Sequence, residues 1–428
     1  DMVMIEPIRG VRGEISLPGD KSITHRSFIF SSIAEGYSLI KNPNTGDDVL
    51  RTLEIMQKIG AEVSFEDKAI KIRGVGISGI KEPDDVLNAG NSGTTIRLLS
   101  GLFSGVKGKF FVITGDSSLR KRPMKRIVEP INLMGGFITG RENGRFPPLV
   151  IIGRKLKGIE YEPERPSAQV KSALILAGLN AQGKTTILEK VKTRDHTERM
   201  LEAFGGKILS EDKRITVFPV EKLYGREIFI PGDFSSASYF IVLTLLLDNS
   251  ELVIKNVSLN PTRIYLLHVL RRGGANIRIL NEKVKNGEIF GDIYVKSSSL
   301  SKIYISRDEA PLLIDELPLI GIMGAFLEEG VKVEGAEELR VKESDRIRLV
   351  VENLRNLGVF AHEFPDGFYV KRGEIRRGVV KTGFDHRITL SFSILGLLSR
   401  SGIYLEEIDS IKVSFPGFFE IVRRISYG

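Results

Sequence analysis

Apolar and small residues in this chain gather into six stretches with helical spacing, each opening on a short polar or charged cluster. The stretches begin at Lys21 (KSITHRSFIFSSIA), Asn91 (NSGTTIRLLSGLF), Ser167 (SAQVKSALILAGL), Phe234 (FSSASYFIVLTLLL), Asp315 (DELPLIGIMGAF) and Phe384 (FDHRITLSFSILGLL). The intervals are 70, 76, 67, 81 and 69 residues, and one sixth of 428 is about 71. Such a period predicts a repeat architecture. Each stretch is followed by an amphipathic segment that ends in Gly, such as VLRTLEIMQKIGAEV, MKRIVEPINLMGGFI and RIRLVVENLRNLGVF; the sixth, FFEIVRRISYG, runs into the C-terminus. Gly after the last periodic residue predicts a left-handed cap, and the β-branched run beyond it predicts a strand. FFVIT (110–114), PLVII (148–152) and KIYIS (302–306) are further strand candidates.

The six first helices are apolar nearly all round, which predicts burial. Their polar residues collect at the N-terminal ends. Ser, Asn and Asp there are what ordinary N-capping requires. Lys21, Arg26, Arg97 and Arg387 are not called for by capping. Helix N-termini carry unpaired N–H donors and the positive end of the dipole, so several meeting at one place make an anion trap.

Two repeats open on nearly one string, Leu17-Pro18-Gly19-Asp20 and Ile230-Pro231-Gly232-Asp233, about half a chain apart. They predict two crossings of a hinge. One lobe of three repeats then spans 19–231, and 1–18 with 232–428 forms the other, containing both termini. A chain of 428 residues is in any case longer than one core usually supports.

Composition removes several chemistries. There is no Cys, hence no disulfide, thiolate nucleophile or Cys-ligated metal; five His without ligand spacing predict no metal site. The net charge of +8 is dispersed, without a basic arm, which argues against nucleic acid. The longest apolar run, Tyr239 to Leu247, is too short to span a bilayer, and residues 1–7 carry no basic-then-apolar leader pattern. The expectation is a cytoplasmic protein.

Among the motifs, Lys21, Ser22 and Arg26 stand within one and a half turns of a helix start and suit a phosphate beside a carboxylate, although each alone is also what a solvated surface carries. His25 reads as a helix-face residue rather than a base. Asn91-Ser92-Gly93-Thr94 offers a ligand close approach to backbone, or simply caps a helix. Of the cations in 120–126, one or two are expected to reach a site. Residues 178–185, GLNAQGKT, match the Walker A pattern, yet a helical segment precedes them and a strand-like one follows, the inverse of a P-loop. Lys342, Glu343 and Arg346 cluster at a loop-to-helix junction, as a proton-handling group or a surface ion-pair cluster.

In order, the strings LPGDKSITHR (17–26), NSGTTIR (91–97), KRPM (121–124), PSAQVKSAL (166–174), TRDHTERML (193–201), LIDELPL (313–319), RVKESDRI (340–347) and FDHRI (384–388) resemble those of the EPSP synthase family along essentially the whole chain. The resemblance implies an α/β fold: a two-lobed inverted α/β barrel of three βαβαββ units per lobe. It implies a monomeric enzyme without metal or other cofactor, joining phosphoenolpyruvate to shikimate 3-phosphate between closing lobes. Lys21, Ser22, Arg26, Ser167, Ala168, Gln169, Arg194, Asp315 and Lys342 correspond to the shikimate 3-phosphate shell. Lys21, Asn91, Gly93, Arg122, Gln169, Arg346 and Arg387 correspond to the phosphoenolpyruvate shell. Asp315 is the implied base toward the 5-hydroxyl, with Glu343 and Lys21 on the other protons; which moves which is left open. Leu98, Glu338 and Val413 depart from residues found in some members and bear on affinity and inhibitor response. The sister transferase acting on UDP-N-acetylglucosamine usually carries a Cys acid, absent here; a P-loop ATPase is the rival of another class. Retention of Gly93 implies that glyphosate competes with phosphoenolpyruvate.

Overall fold

The computed structural model describes residues 2–428. All six first helices form: Lys21–Ser32, Gly93–Ser104, Ala168–Gly178, Phe234–Leu246, Leu317–Met323 and His386–Leu398. Each is buried almost throughout. The amphipathic helices follow, among them Asp47–Lys58, Lys125–Leu133, His196–Ala203, Tyr265–Arg272 and Arg346–Asn356. The residues just beyond them, Gly60, Gly135, Gly205, Gly274 and Gly358, all sit at positive φ, where a side chain is disfavoured.

The contacts divide the chain into two units. One comprises Gly19–Ile230 and Val284–Glu288; the other comprises the chain up to Pro18, Pro231–Lys283 and Ile289–Gly428. By its contacts, the short segment 284–288 therefore groups with the first unit rather than with its sequence neighbours.

The first unit holds three four-stranded sheets of one design. In each, a strand pairs in parallel with the strand beyond the buried helix, and an antiparallel hairpin completes the far side. Leu87–Asn88, Phe110–Thr114, Phe146–Ile152 and Phe137–Gly140 form one such sheet in that spatial order. Glu160–Tyr161, Thr185–Leu188, Arg214–Val217 and Ile208–Glu211 form another. Order and pairing are those of a βαβαββ unit. The second unit repeats the design around Ile303–Ile305, Val331–Val333, Gly367–Val370 and Ala361–Phe364.

Two strands are exchanged. Glu14–Ser16 directly precedes the Lys21 helix, yet it pairs in parallel with Glu251–Ser258 in the second unit's sheet. Glu227–Phe229 precedes the Phe234 helix, yet it pairs in parallel with Tyr37–Lys41 in the first unit. In the last repeat, Val3–Ile5 supplies the antiparallel strand beside Ile403–Leu405.

The two Pro-Gly-Asp strings stand at the breaks between units. A Cβ on Gly19 would lie 2.0 Å from the carbonyl oxygen of Asn42, so only Gly fits there. The following Asp is the helix cap: Asp20 accepts from the Ile23 amide at 2.7 Å and Asp233 from the Ser236 amide at 2.9 Å.

Among the described residues no helix is long and apolar enough to cross a membrane. Residues 178–185 run from the end of the Ala168–Gly178 helix into the Thr185–Leu188 strand. With helix before and strand after, the P-loop reading falls.

Candidate active site

In the first unit the buried helices present their N-termini with caps already satisfied. Ser92 accepts from the Thr95 amide at 3.1 Å and Ser167 from the Val170 amide at 3.3 Å. Asn91, Gly93, Arg122 and Gln169 come together here. An Arg122 Nη2 N–H donates to the Asn91 carbonyl. Arg97, at the same tip, donates from Nη1 to Gln169 Oε1 at 2.6 Å, and Gln169 Nε2 donates to Thr94 Oγ1 at 3.1 Å. A Cβ on Gly93 would lie 2.8 Å from Arg97 Nη1 and 3.1 Å from Arg122 Nη1. Gly at 93 thus lets two guanidinium groups approach the backbone. Of the charge run 120–126, Arg122 is the buried cation, while Arg120, Lys121 and Lys125 face solvent.

Lys21 pairs with the buried Asp48 carboxylate at 2.8 Å. His25 is wholly buried, its Nδ1 2.8 Å from Thr52 Oγ1; burial first, then the nearby charges of Lys21 and Arg26, push its pKa well down and keep it neutral. Arg26 is buried too. Its Nε donates to Thr197 Oγ1 at 2.7 Å, Nη1 to the Ser22 carbonyl at 3.0 Å and Nη2 to Ser172 Oγ at 3.0 Å. Burial lowers its pKa to about 10, against the opposing pull of the Asp20, Glu198 and Glu288 carboxylates. Ala168 and Gln169 open the Ala168–Gly178 helix, and the half-buried Arg194 lies just before the His196–Ala203 helix, close enough for its charge to act on Arg26.

The expectation that these helices are polar only at their tips is corrected in this unit. Lys171 and Ser172 lie inside the Ala168–Gly178 helix, one turn in, and both are buried. The reason is a set of polar partners on residues 189–198 that sequence spacing does not display.

The second unit contains the other expected residues. Arg346 is buried and clamps Asp385, through Nε to Oδ2 at 2.8 Å and Nη2 to Oδ1 at 3.1 Å; the same Nη2 donates to Glu343 Oε2 at 2.5 Å. Burial opposes its charge, but Asp385 and Glu343 outweigh that and hold its pKa above the ordinary value. Arg387 Nη2 stands 3.9 Å from Asp315 Oδ2. Burial again opposes the charge, and Tyr239, Asp315, Asp233 and Glu316 overcome it. Lys342 behaves in the opposite sense: burial outweighs Asp315, Glu338 and Glu343 and lowers its pKa, so its ammonium gives up a proton more readily. Asp315, Lys342, Glu343, Arg346 and Arg387 therefore form one electrostatically linked group. Asp385, whose oxygens also accept from the Arg387 amide at 3.0 Å and Ser344 Oγ at 2.7 Å, organises it.

Two carboxylate–histidine groups, Asp195/His196/Glu288 and Glu343/Asp385/His386, are tight enough to hold a cation. An arginine already occupies that role in each: Arg199 on Asp195 at 2.9 Å, and Arg346 on both Glu343 and Asp385.

A family model described as EPSP synthase (3-phosphoshikimate 1-carboxyvinyltransferase) matches residues 5–422. The chain belongs to the EPSP synthase family. It is 46% identical over 426 residues to the 3-phosphoshikimate 1-carboxyvinyltransferase of Persephonella marina, covering 98% of each chain. It is 44% identical over 429 residues to that of Petrotoga mobilis, covering 99% of each. Among solved structures it is similar to EPSP synthase from Acinetobacter baumannii, at 39% identity and a TM-score of 0.87, over 99% of this chain and 98% of that one. The six-unit α/β fold is the fold of this family.

Sequence reasoning passed over Asp48 and Asp385 as site residues, and singled out Arg97 as a helix-tip cation without placing it in either substrate shell. Asp385 had a signal, an N-cap Asp two residues before Arg387 in the quoted string. Asp48 had only its place at an amphipathic helix start, which does not show a partner 27 residues away.

Proposed function

We propose that the chain transfers the enolpyruvyl group of phosphoenolpyruvate to the 5-hydroxyl of shikimate 3-phosphate, releasing phosphate, as a transferase of the shikimate pathway. The observation that carries this is the family match over residues 5–422, together with expected site residues that stand at or near helix N-termini. The sister transferase is not favoured: the matches carry the 3-phosphoshikimate name, and the chain has no Cys.

Lys21, Ser22, Arg26, Ser167, Ala168, Gln169, Arg194, Asp315 and Lys342 serve shikimate 3-phosphate. Lys21, Asn91, Gly93, Arg122, Gln169, Arg346 and Arg387 serve phosphoenolpyruvate. Arg26 acts chiefly by ordering the Lys21 helix, since its Nε, Nη1 and Nη2 are engaged by protein groups.

The reaction is addition followed by elimination. Asp315 takes the proton of the 5-hydroxyl as its oxygen attacks C2 of phosphoenolpyruvate, while C3 gains a proton. Loss of a C3 proton with departure of phosphate leaves the enol ether. Glu343 and Lys21 handle the C3 proton and the proton reaching the leaving phosphate. Charge on the tetrahedral intermediate is stabilised by fixed cations and helix ends, which act without reorganising. The protein works as a cytoplasmic monomer, and glyphosate competes with phosphoenolpyruvate at the Gly93 tip.

The decisive experiment is phosphate release from phosphoenolpyruvate with and without shikimate 3-phosphate. Release requiring both is expected. Equal activity with UDP-N-acetylglucosamine, or none with either acceptor, overturns the assignment. Inhibition by glyphosate that does not weaken as phosphoenolpyruvate is raised overturns the competition.

A further inference from the structure

Outside the proposed substrate shells, Lys171 is the centre of a buried ion-pair group. Its side chain is 1% exposed, and its ammonium lies 2.8 Å from Glu198 Oε2 and 3.2 Å from Glu189 Oε1, with the Thr193 carbonyl accepting at 3.3 Å. Both carboxylates are buried. Glu189 Oε1 also accepts from the Thr193 amide at 3.2 Å and from the Thr193 hydroxyl. One ammonium thus fixes both ends of the segment 189–198, and Arg194 lies within it.

Next to it, Ser172 Oγ and Thr197 Oγ1 lie 2.6 Å apart and both accept from Arg26. Three segments meet at this junction: the Lys21 helix, the Ala168–Gly178 helix and the 193–198 turn. They are the segments proposed to carry Ser22, Ser167, Gln169 and Arg194.

Stability gives little reason for such a group. Burying a charge triad is costly, and well-packed apolar residues often do as well or better. Glu189 Oε2 and Glu198 Oε1 are buried with no hydrogen-bond partner, which adds cost. What the triad supplies instead is a fixed spacing between a helix tip and a loop.

We infer that Lys171 is a positioning residue for the phosphate group of shikimate 3-phosphate: through Glu189, Thr193 and Glu198 it sets Arg194 at the correct distance from Ser167 and Gln169. The inference rests on the substrate proposed above.

The test is calorimetric binding of shikimate 3-phosphate, and of shikimate without the phosphate, to the wild type, Lys171→Met and Thr193→Val below their melting temperatures. A misplacement of about 1 Å at a charged subsite costs up to about 100-fold, so Lys171→Met is expected to weaken shikimate 3-phosphate by about 10-fold or more. Shikimate binding and the KM for phosphoenolpyruvate are expected to stay within about twofold, because neither uses Arg194, the group that moves. Thr193→Val, which removes one hydroxyl at constant shape, shifts the same constant by about threefold if the loop is held as described. A lower melting temperature with unchanged discrimination between the two ligands makes the triad purely structural and overturns the inference. If Lys171→Met does not fold, Thr193→Val alone decides it, and no shift there overturns it. Failure of the wild type to bind shikimate 3-phosphate would instead sink the proposed function.

Discussion

The two units use one architecture and arm it differently. At the tips of the first, arginines donate largely to neutral oxygens: Arg26 to two hydroxyls and a carbonyl, Arg97 to an amide and a carbonyl, Arg122 to a carbonyl. At the tips of the second, arginines face carboxylates: Arg346 on Asp385 and Glu343, Arg387 near Asp315. Cations held by neutral groups keep their field for an anion. Cations beside carboxylates already have much of their charge answered within the protein. The proposed base, Asp315, thus lies in the unit whose arginines face carboxylates.

Removal of the proposed base is the severest test. Asp315→Asn is expected to lower kcat by about 1,000-fold, in the range lost with a general base, with KM values changed far less. A drop of only a few-fold in steady-state phosphate release would end the assignment of proton chemistry to the second unit.

Stability separates the units next. Arg346→Met strands the buried Asp385 charge and is expected to cost about 3–5 kcal/mol. Arg26→Met removes the donor from two hydroxyls and a carbonyl but strands no directly paired carboxylate, for about 1–3 kcal/mol. Denaturant titration of both variants checks the order. Equal losses would erase the distinction.

Gly93→Ala pushes a methyl toward Arg97 and Arg122 and is expected to raise the KM for phosphoenolpyruvate by about 10-fold, with a smaller effect on kcat. The same change in the KM for shikimate 3-phosphate would show that the Gly93 tip is not selective.

The smallest effect is a pH dependence. Burial raises the pKa of Glu198 above 4.5 against the opposing pull of Lys171, so the folded state holds this proton more tightly than the unfolded chain. Its contribution is complete below the ordinary carboxyl value and is lost as pH rises toward the raised one. Glu198→Gln cannot ionise. Its melting temperature should therefore gain on the wild type from about pH 4.5 upward and then level off. A difference independent of pH would show that the proton is not held there.

Much of this was legible beforehand. The strand candidate 110–114 is the observed strand, and the buried helices begin within two residues of their predicted polar clusters. Local patterning carries that information, because burial and capping depend on neighbours in sequence. Lys171 was invisible because its partners lie 18 and 27 residues away and look like surface acids. The clamp of Arg346 on Asp385, 39 residues apart, was hidden for the same reason. The strand exchange showed only as the two Pro-Gly-Asp crossings, never as a pairing. Glu14–Ser16 and Glu227–Phe229 are three-residue strands whose composition does not choose a partner.

That exchange makes the halves of the polypeptide unequal as fragments. A piece running from residue 19 to 230 owns every strand of its three sheets, whereas 231–428 lacks the edge strands 14–16 and 3–5. Expressed alone, the C-terminal piece would carry two open sheet edges, which invite aggregation. A synthetic peptide of residues 2–18 should rescue its solubility by donating both strands, whereas the N-terminal piece should need no such guest.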